Sequence, residues 1–244
     1  MAKTPGVKRR NGIVYLEDYS WREHVFKDRR SAGRVLGELL LEVVGTVHAV
    51  FGIAAGGVPV ALEAADRLGS CLDIVFVKKI TFPWTTEAGF GAVALDGTLE
   101  YDRLVAESMG FTGRVLEEMV RRALEAAKKR AALVRISTNY PSLKGMRVVV
   151  VDDGIATGYS MRVAVRFLRK RGAQVVVAAA PTASLEGAEF VAREADELVV
   201  ANLRSGEVYA VADAYIEWYD VDDEELKSYL EEARRRKLLC PWIL

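Results

Sequence analysis

Histidine and cysteine are scarce, neither charge sign dominates and no apolar run is long, and each of these absences closes off a class of function. The two cysteines, Cys71 and Cys240, lie far apart, and neither belongs to a CxxC or other metal-spaced cluster. They read as reduced thiols of a cytoplasmic protein. The two histidines are His24 and His48, and His48 falls inside an expected strand, which makes it a core residue rather than a catalyst. Lys plus Arg, 34, equals Asp plus Glu, 34, so there is no global basic field to attract nucleic acid. No run reaches the roughly 18 apolar residues of a membrane span, and the polar start lacks an apolar stretch of signal-peptide length. The chain is therefore expected to be neither inserted nor exported. A GxxxxGK[ST] phosphate loop and a GxGxxG dinucleotide fingerprint are both missing.

What remains is a 244-residue sequence, 51% hydrophobic and 28% charged, large enough for one substantial core. It reads as a single domain over residues 1–244 with an inserted hairpin and long-helix segment at about 82–137. Residues 1–12 form a loose lead-in to a short strand at 13–16. Apolar spacing at Ala32, Val35, Leu36, Leu39, Leu40 and Val43 predicts a core-facing helix that Gly45 stops. Buried strands are expected at 47–53, 72–77, 148–151, 174–180 and 197–201, with helices between them and a closing helix over 222–237. Alternating strands and helices of this kind predict an α/β fold, an open, mainly parallel twisted sheet flanked by helices. In the middle third, Asp96-Gly97 after the apolar 91–95 predicts a hairpin, and 112–136 a long helix whose basic outer face is ordinary solvated surface.

The chemistry concentrates at 147–162. Val148, Val149, Val150 and Val151 show no polar alternation, as in a strand buried on both faces. Asp152 and Asp153 follow at its carboxyl end, and then Gly154, Ile155, Ala156, Thr157, Gly158, Tyr159 and Ser160 lead into a helix. Ligands of open α/β sheets bind at this end of the strands. A helix start offers unpartnered N–H groups, the glycines allow close approach, and the hydroxyls of Thr157 and Ser160 complete a cradle for a phosphate monoester. A carboxylate pair beside a phosphate is repulsive unless it serves another part of the ligand, and vicinal sugar hydroxyls are the matching donors. A sugar phosphate satisfies both halves.

The order of hydrophobic strand, Asp152-Asp153, a short spacer, Thr157-Gly158, one residue and then Ser160 resembles the phosphoribosyl pyrophosphate motif of the type I phosphoribosyltransferases. The form Val-Asp-Asp-Gly-Ile-Ala-Thr-Gly is similar to that of a poorly characterised microbial branch of the family. The segments 26–33, 56–61, Lys79-Ile80, 91–93 and 215–221 fall in the order that this branch shows. The resemblance implies that Asp152 and Asp153 hold the ribose 2′- and 3′-hydroxyls and that residues 154–160 hold the 5′-phosphate. It implies a pyrophosphate loop of Ala54, Ala55, Gly56 and Gly57 with Lys79 nearby, and Mg²⁺ bridging ligand oxygens without a dedicated protein metal site. It further implies a homodimer and transfer of the phosphoribosyl group to a nitrogenous base with release of pyrophosphate. The branch carries arginine before the Gly-Gly pair, where this sequence has Ala55, so a protein that senses phosphoribosyl pyrophosphate or a nucleotide without turnover is the rival expectation. Residues 82–110 are a candidate flap over the site, or else a static packing arm or dimer contact. The base is expected under a hood built from aromatic segments near the amino terminus or the tail.

Overall fold

The computed structural model describes residues 6–85, 88–135, 139–206 and 209–243. Chain order runs β1 (Val7–Arg10), β2 (Ile13–Leu16), α1 (Arg29–Val43), β3 (Ala49–Ile53), α2 (Gly57–Leu68), β4 (Cys71–Val75), β5 (Val77–Thr81), β6 (Gly89–Ala94) and β7 (Leu99–Tyr101). It continues through α3 (Arg103–Ser108), α4 (Arg114–Val134), β8 (Arg147–Val151), α5 (Tyr159–Lys170), β9 (Val175–Ser184), α6 (Leu185–Ala192), β10 (Glu197–Arg204) and α7 (Asp223–Arg235). A seven-stranded sheet has the order β1-β2-β10-β9-β8-β3-β4 and is parallel from β2 to β4, with β1 an antiparallel edge. The expected α/β class and mainly parallel sheet are therefore found. Of the sequence expectations, Glu87, Ile136 and Val208 lie outside the described residues.

The unbroken valines of β8 have a direct cause in this architecture. Val148 and Val150 face the layer made by α5 and α6, where they meet Met161, Val165 and Phe167. Val149 and Val151 face the opposite layer, with Leu36, Leu39 and Val60 of α1 and α2. A strand covered on both sides has no position for a polar residue until it emerges at its carboxyl end. Helix α1 begins at Asp28, which accepts a hydrogen bond from the Ser31 N–H while the Ser31 hydroxyl serves the Asp28 N–H. A Cβ on Gly33 would lie 2.6 Å from the Val60 carbonyl, so this glycine is what lets α1 close onto α2. That close packing brings the start of α1 beside the start of α2.

Three expectations are corrected. The lead-in is not wholly loose: Val7–Arg10 pairs with β2 across Asn11-Gly12, both at positive φ, the two-residue turn that an Asn-Gly pair favours. His48 is an exposed residue just before β3, and its Nδ1 accepts the Arg147 N–H at 3.0 Å. The cysteines are not free thiols. Cys71 and Cys240 form a disulfide across a sequence separation of 169, because the C-terminal segment runs along the outer edge of β4. Leu72 N donates to Leu238 O at 2.6 Å, Cys240 N donates to Leu72 O at 3.0 Å, and Trp242 Nε1 donates to Asp73 at 2.8 Å. No sequence periodicity announces this strap, which covers an edge that would otherwise be open.

The 72–77 run breaks at Phe76, and its last part becomes β5 of a second, three-stranded antiparallel sheet, β5-β6-β7. The hairpin at Asp96-Gly97 is present between β6 and β7. This arm has its own apolar centre, Ile80, Phe90, Val93, Ala106, Phe111 and Ala123. It is fastened to α5 by Arg162 with Glu100 at 2.9 Å and Lys170 with Thr98 at 2.8 Å. Strands β9 and β10 outrun their expected ends, to Ser184 and Arg204. Pro181 is tolerated because β8 has already ended opposite Ala179.

Candidate functional site

The chain leaves β8 with the Asp152 N–H bonded to Ala179 O at 3.2 Å, and is then pinned to the overhanging end of β9. Ile155 N donates to Thr182 O and Ser184 N to Ile155 O, both at 2.9 Å. The Ser184 hydroxyl donates to Ala156 O at 2.6 Å while also capping α6 through the Gly187 N–H. A Cβ on Gly187 would lie 2.0 Å from Ala156 O, so the first turn of α6 is pressed against the underside of the loop. Gly158 takes φ +87° and opens α5. Residues 152–158 are thus held from beneath by backbone and hydroxyl bonds.

The helix starts differ in how they are capped. Helices α1, α3, α6 and α7 start on Asp28, Asp102, Ser184 and Asp222, each accepting a backbone N–H. Helices α2 and α5 start on Gly56 and Gly158 with no side-chain cap, as does α4 on Gly113 in the arm. The N–H groups at α2 and α5 therefore remain available to a ligand, at the ends of two adjacent strands.

The two loops meet. A Cβ on Gly56 would lie 2.1 Å from Asp153 Oδ2, and one on Gly57 would lie 2.6 Å from Val151 O. Gly56 has an ordinary helical φ of −59°, so space and not backbone freedom demands glycine there. Ala54 and Ala55, joined by a cis peptide bond, are buried, with Ala54 N bonded to Val75 O at 3.0 Å. Lys79 is exposed on β5, and its charge reaches Asp152. The sequence-selected residues 54–57 and 152–160 therefore belong to one end of the seven-stranded sheet, and the Lys79 charge reaches it from β5 of the second sheet.

The carboxylates differ in environment. Packing around Asp152 strips its hydration, and this, with the neighbouring Asp153 charge, pushes its carboxyl well above the usual range. The Asp153 N–H, which donates to Asp152 Oδ1 at 2.9 Å, and Lys79 oppose the shift without cancelling it. Asp153 instead pairs with Arg29, Nε to Oδ2 at 2.9 Å.

Arg29, Tyr215 and Trp218 complete the surroundings and were given no individual role by the sequence pattern. Tyr215, fully buried, donates its hydroxyl to Asp153 O at 2.5 Å. The Arg29 Nη1 donates to Tyr219 O at 2.6 Å, and the guanidinium lies 3.8 Å from the Trp218 ring centroid. A Cβ on Gly154 would collide with Val211, so the segment 209–219 folds over the loop as an aromatic hood. Arg29 stood in the sequence only inside the 26–33 segment of the family resemblance, with no local signal of its role. Phe82 and Trp84 stack at 5.3 Å in the arm, and Phe82 also meets Phe90 at 5.4 Å. A cavity of about 350 Å³ lies between this cluster and the loop, lined by Phe82, Phe90, Asp102, Thr157, Tyr159 and Phe190.

Among the described residues no group of three or more His, Cys, Asp or Glu could hold a metal by itself. The donor set present, two adjacent carboxylates beside two anion cradles, fits Mg²⁺ held largely by ligand oxygens. No helix among the described residues is long and apolar enough to cross a membrane.

Comparison with known proteins gives the geometry a lineage. The profile of the phosphoribosyl transferase domain matches residues 27–205. Rv0571c of Mycobacterium tuberculosis H37Rv, whose name assigns it provisionally to the phosphoribosyl transferases, is 33% identical over 211 residues, 86% of this chain and 47% of that protein. The chain thus spans about half the length of the curated relatives it matches. A ribose-phosphate pyrophosphokinase of Pyrococcus furiosus is 32% identical over 140 residues, 55% of this chain and 47% of its own. The crystal structure of TT1426 from Thermus thermophilus is 36% identical, with a TM-score of 0.66, and covers 85% of this chain and 98% of that one. With a profile match that takes in both loops and a relative aligned over most of this chain, the chain belongs to the phosphoribosyl transferase family.

Proposed function

We propose that the chain is an Mg²⁺-dependent phosphoribosyltransferase that binds phosphoribosyl pyrophosphate and moves the phosphoribosyl group to a nitrogenous base, releasing pyrophosphate. The observation that carries this reading is the meeting of two uncapped helix starts, α2 and α5, across Asp153. One cradle takes the 5′-phosphate through the N–H groups and hydroxyls of 154–160. The other, at 54–57, takes the pyrophosphate. Each hydrogen bond to a charged group contributes about 1.5–3 kcal/mol, against about 0.3–1 for the helix dipole, so the N–H contacts dominate.

Between the cradles, Asp153 accepts hydrogen bonds from the ribose hydroxyls in an orientation fixed by Arg29 and by Tyr215 beneath its carbonyl. Asp152, whose carboxyl is pushed up by burial and by the Asp153 charge, stands beside it toward the same hydroxyls. Mg²⁺, when bound with the ribosyl donor, supplies charge neutralisation for the leaving pyrophosphate. The protein's share is to align the anomeric carbon, withdraw it from water and leave one face open to the base under the 209–219 hood. The acceptor is a planar heterocycle, which suits a hood containing Tyr209 and Trp218.

The alternative is a sensor that binds the same ligand without turnover. The buried, uncharged Ala55 favours it. Incubation with phosphoribosyl pyrophosphate, Mg²⁺ and a panel of purine and pyrimidine bases separates the two readings. Pyrophosphate release that requires one base supports the transferase, while saturable binding with no release for any base supports the sensor. Absence of binding refutes both.

A further inference from the structure

Arg29 is unusual among the arginines of its surroundings. Arg30, its neighbour on α1, is spent on Glu63 at 2.7 Å and Glu232 at 2.6 Å, and Arg236 on Asp66 at 2.6 Å and Glu232 at 3.2 Å. Arg29 has a single carboxylate partner among the described residues, Asp153, although its side chain is only 6% exposed. A guanidinium carries five N–H donors. Nε goes to Asp153 and Nη1 to Tyr219 O, and no hydrogen bond is formed by Nη2 among the described residues.

Its position supplies the rest of the argument. Asp153 Oδ2 is 2.9 Å from Arg29 Nε and 2.1 Å from where a Gly56 Cβ would lie, so the guanidinium and the uncapped start of α2 share one oxygen atom. The Trp218 ring at 3.8 Å and the Tyr219 carbonyl hold the fork in one orientation. A planar, pre-oriented and partly desolvated guanidinium matches phosphate oxygens better than a flexible ammonium does. Lys79, by contrast, stands exposed on β5.

We infer that Arg29 is the pyrophosphate-gripping cation of this site, its Nη2 edge taking a phosphate oxygen at the 54–57 loop while Nε keeps Asp153 aimed at the ribose. The inference rests on the proposed reading of the two loops. It gives the charge that Ala55 does not provide a different origin, the first turn of α1, and it ties the two halves of the clamp through one side chain.

The test uses calorimetry on the full chain with Mg²⁺ and three probes: phosphoribosyl pyrophosphate, inorganic pyrophosphate and ribose 5-phosphate. Arg29→Gln is expected to weaken the first two by at least about tenfold. Ribose 5-phosphate affinity falls by a clearly smaller factor, through loss of the Nε–Asp153 bond alone, and Arg29→Lys falls between wild type and Arg29→Gln. Equal losses for ribose 5-phosphate and pyrophosphate would show that Arg29 acts only through Asp153, and unchanged affinities would remove it from the site; either overturns the inference while leaving the loops as read. A wild-type protein that binds none of the probes overturns the reading of the loops as well. Should Arg29→Gln fail to fold, Trp218→Leu keeps the arginine but removes the ring that orients it. A selective loss of pyrophosphate affinity is then expected, and no change would refute the proposal.

Discussion

The loop after β8 and the loop after β3 begin alike, each at the carboxyl end of a central strand and each running into a helix with a glycine start and no side-chain cap. What lies beneath them differs. Residues 152–158 rest on polar bonds, from Ile155 and Ala156 to Thr182 and Ser184 on the β9 overhang. Ala54 and Ala55 rest on an apolar cluster with Ile74, Phe76, Leu226, Leu230 and Ile243. Ile243 belongs to the C-terminal strap that the Cys71–Cys240 disulfide fastens. One loop is therefore held by several directional bonds of its own sheet, and the other, beyond the single Ala54 N–Val75 O bond, by packing that depends on the far end of the chain. They come together where the Asp153 carboxylate lies against Gly56.

The most damaging change is expected at that shared point. Gly56→Ala puts a methyl group 2.1 Å from Asp153 Oδ2, with Arg29 holding the carboxylate on its other side. The strain costs about 1–3 kcal/mol of stability. Affinity for phosphoribosyl pyrophosphate falls by about one to two orders of magnitude, because both loops are displaced at once. Near-normal affinity measured by calorimetry would show that the loops do not act as one clamp.

The carboxylates should then separate. Asp153→Asn removes an ionised hydrogen-bond acceptor and leaves Arg29 without its partner, weakening binding of the ribosyl donor about tenfold. Asp152→Asn mimics the protonated acid and costs less. It also carries a signature in stability. The folded-state pKa of Asp152 lies above the ordinary 3.8, so the native state keeps this proton to higher pH than the unfolded chain does. Ionisation therefore removes stability as pH rises through the raised value, and has no effect below 3.8. Asp152→Asn is expected to raise the melting temperature at about pH 8 and to lose that gain at about pH 3. A gain independent of pH would mean that burial does not hold the proton on Asp152.

Much of this site was legible because its physics is local. The valines of β8, the acidic pair and the small-residue loop lie together in sequence, and periodicity with helix-start chemistry is enough to read them. Gly56 and Gly57 could be read as a loop, but the demand for glycine comes from Val151 and Asp153, nearly 100 residues away. Arg29 was visible only as part of a resemblance, since nothing in α1 itself says that its first turn faces Asp153. The disulfide was misread for the same reason: pairing across 169 residues depends on a strap with no repeating apolar pattern. Asn11-Gly12, by contrast, was a local hairpin signal, passed over amid polar neighbours.

The packing that supports the 54–57 loop can be loosened without touching that loop. Cys240→Ala, or reduction of the disulfide, frees the strap along β4 and with it Ile243. Stability is expected to fall by about 2–4 kcal/mol. Below the melting transition, pyrophosphate affinity falls a few-fold, whereas ribose 5-phosphate affinity holds because the 152–158 loop has its own polar support. Parallel losses for the two ligands would erase the distinction between the loops.

The smallest effect is expected from restoring a cation where the family branch has one. In Ala55→Arg the new side chain starts from a position only 8% exposed, in contact with an apolar cluster, and has to turn out toward the ligand. Overpacking then takes back about 1–3 kcal/mol of stability. With Arg29 already at the site, a second guanidinium adds little, so pyrophosphate affinity rises a few-fold at most. In an Arg29→Gln background the same substitution meets an uncompensated phosphate and the gain is larger. The two changes are therefore non-additive, as expected for groups that share one partner. A double-mutant cycle on pyrophosphate affinity measures that coupling directly, and strict additivity would place the two arginine positions in separate environments.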